Sequence, residues 1–217
     1  MLLQLAYNCD VLINGDLFDT PNRPLNDLFQ TIALFHHWLV INPESTLWLP
    51  PGNHDLSKNS EIYSSFDFFS QTLESLAPGR VHVPRVGQLM GAGRWVIPHV
   101  ANQDLFDLEL AKVPEDMDFV FLHCNYDNGF AARSDHSLNL SAEQARKLSG
   151  MVVIGHEHQA KRALEGKVII TGNQMPSSVA DCMGNDVKFA LRIADTSLKM
   201  DVTWNAVDSF ARVDWDQ

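Results

Sequence analysis

Cysteine is scarce in this chain: Cys9, Cys124 and Cys182 are the only three in 217 residues, and none sits in a CxxC pair. An odd, scattered set excludes a disulfide framework and gives no zinc-finger or redox pattern, which fits a reducing compartment. Long apolar runs are also missing. No stretch approaches the ~20 residues needed to cross a bilayer, so a membrane-spanning protein is excluded. Basic residues are outnumbered, with 16 Lys+Arg against 27 Asp+Glu and a formal net charge of −11. That balance disfavours indiscriminate binding to polyanions, although a local metal or basic patch can override the global field. The opening MLLQLAYNCD lacks both a basic leader and a small-residue cleavage site, so no signal peptide is read there and a cytoplasmic location is expected.

What is present is core-building material. Hydrophobic residues make up 45% of the chain, with 12 Phe and 5 Trp. A chain of this length buries roughly 70% of its unfolded surface, enough for one globular domain without staples. A single domain over residues 1–217 is expected, of α/β class. The alternation of strand, loop and helix supports this: a buried strand at 10–14, a helix opened by Pro24, a strand at 46–49 and a helix over 61–76. In the first helix Leu25, Leu28, Phe29, Ile32, Phe35 and Leu39 recur at helical spacing and predict a packed face. In the second, Ile62, Phe66, Phe69 and Leu73 do the same. Residues 81–100 read as a hairpin of VHVPRVGQLM and RWVIPHV parted by GAG. A helix is expected at 103–113, then a strand at 118–123 ending in a loop with Asn125 and Asp127. Ser141 caps the next helix, a strand follows at 151–155, and the last third is mainly β.

Four segments place Asp, Asn and His where an apolar run gives way to a loop: GDLFD at 15–19, GNHD at 52–55, LHCN at 122–125 and GHEH at 155–158. In an open α/β sheet ligands bind outside the carboxyl ends of the strands, so these loops should converge. Imidazole nitrogen with carboxylate and amide oxygen suits Mn²⁺, Zn²⁺ or Fe, and the lack of a motif cysteine argues against a structural zinc site.

The four blocks, in this order, resemble the calcineurin-like metallophosphoesterases, whose pattern is DxH, GDxxD, GNH(D/E), a lone His after a strand, and GHxH. The similarity covers roughly residues 10–175, and GDLFDTPNRP with GNHD is most similar to the SbcD-type DNA repair exonuclease branch. The protein phosphatases of the family carry Arg after GDxxD and Glu after GNH, where this chain has Thr20 and Asp55. The resemblance implies a β-sandwich flanked by helices and two divalent metal ions, Mn²⁺ first, with Zn²⁺, Fe or Mg²⁺ as alternatives. It makes Asp16 the bridging carboxylate, Asn53, His123 and His156 the other protein ligands of one metal, and His158 a ligand of the second. It implies metal-bound hydroxide as nucleophile, His54 at the leaving-group oxygen, and Asp19 orienting the His54 imidazole.

The family's first block, DxH, has no counterpart, because LLQLAYN reads as the end of a helix. On this reading the chain is truncated at its N-terminus, the first strand of the sheet is missing and one metal site is well liganded, so that either the true start lies upstream or this copy is impaired. DNA is the implied substrate. An ATPase partner subunit is also implied, although the 59 residues after GHEH leave little room for a cap. A nucleotide or small-molecule phosphoesterase and a non-catalytic metal-binding assembly module stand as alternatives, and oligomeric state is left open.

Other residues take plainer readings. Asp55 is expected to fix the GNHD turn, Cys124 to fill the core, and His36, His37, His82, His99 and His136 to be structural or surface groups, with His99 the least settled. Arg23, Lys58, Arg133, Lys161 and Arg162 flank the motif loops, either to neutralise nucleic-acid phosphates or as a solvated rim.

Overall fold

The computed structural model describes residues 3, 6–59, 61–91, 93–128, 138–174, 187–194 and 197–205, with the backbone alone at 187–189 and 197–205. Arg133, His136, Cys182 and, of the expected N-terminal helix end, Leu2, Gln4 and Leu5 lie outside the described residues. Three short parallel strands, β1 (Val11–Leu12), β2 (Leu47–Trp48) and β3 (Val81–His82), form one sheet in that order. Between them run helices α1 (Leu25–Ile41) and α2 (Ser65–Leu76). The larger sheet contains β4 (Gln88–Leu89), β5 (Arg94–Ile97), β6 (Phe119–Tyr126), β8 (Met151–His156), β10 (Val168–Ile170) and β9 (Lys161–Ala163) in that order, with β7 (Asn139–Leu140) beside the end of β6. Strands β5, β6, β8 and β10 are mutually parallel. Helices α3 (Gln103–Leu110) and α4 (Ala142–Lys147) and an antiparallel pair, β11 (Val187–Ala194) with β12 (Ser197–Asn205), complete the described elements. No helix among the described residues is long and apolar enough to cross a membrane.

Alternation along the strands sorts side chains into three buried layers. Leu47, Leu49 and Val81 face α1 and α2, where they meet Phe35, Trp38, Phe66 and Phe69. Leu12 and Trp48, from the opposite face of the same sheet, meet Val96, Phe119, Phe121 and Val153 of the larger one. The far face of the larger sheet, with Val120, Leu122, Val152 and Ile154, packs on Phe106 of α3 and Ala145 of α4. Two sheets are therefore stacked between two layers of helices. Each fully buried Phe or Leu in these layers contributes about 1.5–3 kcal/mol of transfer free energy.

The helices begin as local chemistry dictates. Ser64 and Asp67 form a reciprocal capping box at α2, Ser141 and Gln144 another at α4, and Asn102 caps α3 through Leu105 N–H. Several expectations need correction. In α1 the buried face is Leu28, Phe35, Trp38 and Leu39, whereas Leu25 and Phe29 point to solvent. Ile62 precedes α2 and is exposed. VHVPRVGQLM is not one hairpin arm: β3 pairs with β2, and only β4 turns back on β5 around GAG. Strand β6 runs on through Tyr126, so Asn125 is a buried strand residue paired with β7 and not part of a loop.

Candidate metal centre

The parallel strands of both sheets point their carboxyl ends at one place, and the residues beyond those ends converge there. Asp16 follows β1, Asn53 follows β2, His123 lies within β6 and His156 ends β8. Nε2 of His123 lies 3.1 Å from Oδ2 of Asp16 and 3.1 Å from Oδ1 of Asn53. Nδ1 of His156 lies 2.9 Å from the same Asn53 oxygen. Ligand atoms of Asp16, His123 and His156 all fall within 4.8 Å of one another. A carboxylate, an amide oxygen and two imidazoles thus aim their donor atoms at one small volume.

Backbone geometry makes this approach possible. Asp16 (φ 49°) and His156 (φ 80°) both occupy the left-handed region, strained conformations for non-glycine residues. A Cβ on Gly15 would stand 2.0 Å from Nδ1 of His123, and one on Gly52 would stand 2.1 Å from Oδ1 of Asp16. Neither position accepts a larger residue without displacing a donor. Buried Asp55 holds the two front loops together, accepting hydrogen bonds from the N–H groups of Phe18 and Gly52 at 2.9 Å each and of Leu17 at 3.3 Å. Burial pushes its carboxyl up to about 6, against the pull of those N–H donors. Phe18 pins the first loop from below, its ring edge-on to Phe69 at 5.7 Å.

The histidines are oriented by backbone carbonyls. His123 donates from Nδ1 to the carbonyl oxygen of Asn14 at 2.9 Å, which leaves Nε2 toward Asp16 and Asn53. A metal-binding imidazole ordinarily gives its other N–H to such an acceptor. Asn14 also bridges the layers, its Nδ2 donating to the carbonyl of Leu122 at 2.9 Å and of Val153 at 3.3 Å. Burial opposes the charge on Asp16, but the hydrogen bond and charge of His123, with the His54 N–H, outweigh it and hold the carboxyl at about 2. Burial likewise opposes charge on His123, and Asp16 more than offsets this, so its pKa is raised. His156 is pushed down to about 4 by burial and by the charge of His123.

His54 sits at the exposed lip of the cluster, with its N–H on Oδ1 of Asp16 at 2.9 Å. Its ring Nδ1 donates to the backbone carbonyl of Asp19 at 2.9 Å. This corrects the expected dyad: Asp19 orients the imidazole through its main chain, because its carboxylate is ion-paired with Arg23, which also reaches Asp27 at 3.4 Å. His158 is exposed on the turn after β8 and is not among the clustered ligand atoms. Lys161 is paired with Glu157 at 2.6 Å, and Glu157 accepts from Tyr126 N–H at 2.7 Å. Arg23 and Lys161 therefore already engage carboxylates of this chain, while Lys58 and Arg162 are exposed.

His99, the least settled of the histidines read as structural or surface groups, borders this cluster. It lies beyond the end of β5, half-buried, with its ring edge-on to His123 at 6.3 Å and its N–H on the carbonyl of Pro51 at 2.9 Å. Burial, then the charges of His123 and His156, push it down to about 4. The available signal was its place at the end of a β segment, IPHV, next to the strand that carries His123.

The donor set fits a divalent cation. Mixed nitrogen and oxygen donors, a carboxylate held ionised, and glycines that admit no Cβ beside two of the donors make Asp16, His123 and His156 a group that could hold a metal ion. Comparison with known proteins assigns no family to this chain, since neither a protein-family model nor a curated protein matches it.

Proposed function

We propose that this protein is a metal-dependent phosphoesterase of the calcineurin-like type, acting on phosphodiesters, with DNA as the substrate class. The observation that carries the reading is the convergence of Asp16 and Asn53, which follow β1 and β2, on His123 within β6 and His156 at the end of β8, with His54 at the exposed lip. DNA as substrate rests on the resemblance of GDLFDTPNRP and GNHD to the exonuclease branch. Divalent cations held at such a centre act as Lewis acids on a phosphoryl oxygen and lower the pKa of water.

The chain's own residues would divide the remaining work. Asp16, Asn53, His123 and His156 hold the cation, Asp16 supplying the negative charge. His54, its Nδ1 committed to Asp19, presents Nε2 to a leaving-group oxygen and donates a proton there or stabilises its charge. Asp55 and Gly52 keep the His54 turn against Asp16. Among the described residues a second cation would draw on His158 and Asp16, so the first site would fill before the second.

The test is Mn²⁺-dependent hydrolysis of bis(p-nitrophenyl) phosphate and of linear duplex and single-stranded DNA, beside a Mn²⁺ titration. Turnover that is lost in His54→Ala with metal binding retained supports the reading. Bound metal with no turnover of any substrate overturns it in favour of a non-catalytic metal-binding module. Turnover of nucleotides with none of DNA moves the substrate to small phosphoesters.

A further inference from the structure

We propose that His99 is a substrate-binding residue, which donates a hydrogen bond from its ring to a phosphoryl oxygen seated on the metal centre. This rests on the phosphoesterase reading and adds a residue to which that reading gives no role.

Three observations place His99 there. Strand β5 lies beside β6 with Ile97 opposite Leu122, so the residues just past Ile97 rise next to His123 at the carboxyl end of the sheet. The His99 main chain is tied to Pro51, directly before the GNHD loop, at 2.9 Å, which fixes it relative to Asn53. Its ring meets His123 edge-on at 6.3 Å between centroids, yet no nitrogen of His99 joins the ligand atoms clustered within 4.8 Å. A donor packed against His123 and tied to the GNHD loop, yet outside the ligand cluster, suits an oxygen that the metal itself holds. Imidazole has an N–H to offer in either protonation state, so the contact needs no titration. An apolar or aromatic residue would pack equally well against His123, so packing alone does not call for an imidazole here.

Calorimetric titration of Mn²⁺, followed by inorganic phosphate into the Mn²⁺-saturated protein, tests this for wild type, His99→Phe and His99→Gln. Phenylalanine keeps the ring contact without the donor, and glutamine keeps a donor without the ring. Losing one hydrogen bond to an anion should weaken phosphate binding about tenfold in His99→Phe, with His99→Gln staying nearer wild type. Mn²⁺ affinity should be unchanged in both. A large fall in Mn²⁺ affinity would make His99 a metal ligand and overturn the proposal, as would unchanged phosphate binding in His99→Phe. Wild type that takes Mn²⁺ but no phosphate overturns the role of His99 while leaving the metal centre standing. Wild type that takes no Mn²⁺ overturns the phosphoesterase reading and this inference with it.

Discussion

The Nδ1 of His123 donates to the carbonyl oxygen of Asn14 across 109 positions of sequence, at 2.9 Å, and so ties the loop after β1 to the middle of the larger sheet. One bond thereby fixes both the ring orientation of a candidate metal ligand and the spacing of two strands from different layers. His123→Ala should abolish Mn²⁺ binding in a calorimetric titration. His158→Ala should barely change it, because His158 stands outside the ligand cluster. Two equal, tight sites in wild type would overturn this assignment.

Glycine substitutions should separate strain from collision. Gly166 (φ 93°) has nothing within 4 Å of an added Cβ, so Gly166→Ala should cost about 1–2 kcal/mol of stability and leave metal binding intact. Gly15 (φ 83°) carries similar strain, but its added Cβ would collide with His123. Gly15→Ala should cost about 3 kcal/mol and eliminate Mn²⁺ binding as well. Denaturant unfolding with and without Mn²⁺ reads both terms.

Asp55 lies at the centre of a buried hydrogen-bond set with three main-chain donors. Asp55→Ala leaves those N–H groups without their acceptor and should destabilise the protein by about 3 kcal/mol. Chemical denaturation measures that loss, and a change below about 0.5 kcal/mol would show that water replaces the carboxylate.

Asp67 offers a test by pH. Burial raises its carboxyl pKa, but the Ser64 N–H and the Arg85 pair outweigh burial and hold it below the ordinary aspartate value. A depressed folded value means that the ionised carboxylate stabilises the fold above the unfolded pKa and that the gain is lost as pH falls through the folded one. Asp67→Asn should therefore be less stable than wild type by about 1 kcal/mol at neutral pH. The difference should close below about pH 4. Thermal unfolding across that range checks the sign.

Much of this architecture can be read from short stretches, and what escapes them has a physical cause. The four motif blocks combine residue type with position at strand ends, both local properties, so the convergence of Asp16, Asn53, His123 and His156 follows from the sheet rule alone. Strand partnership is different. β3 is two residues long and pairs with β2 across 34 positions, and no periodicity in two residues can announce that partner. The orientation of His54 turned on a competition that sequence does not display: Arg23, four residues on in the same loop, takes the Asp19 carboxylate and leaves the main-chain oxygen to the imidazole. Leu25 and Phe29 share helical spacing with buried neighbours but lie beside the stripe that Leu28, Phe35 and Leu39 bury, and face solvent.

Asp16 and Asn53 follow strands of the three-stranded sheet, whereas His123 and His156 belong to the seven-stranded one. The centre is thus divided evenly between two layers that meet across side chains such as Leu12, Trp48 and Phe121. A cation held there would be gripped from both sides like a rivet, and its affinity would gauge how well the layers are aligned. A substitution deep in that seam, far from any donor atom, would loosen the grip as surely as the loss of a ligand. Conversely, filling the centre would clamp the layers and slow their separation, so the metal would set how long the folded molecule lasts as well as what it does.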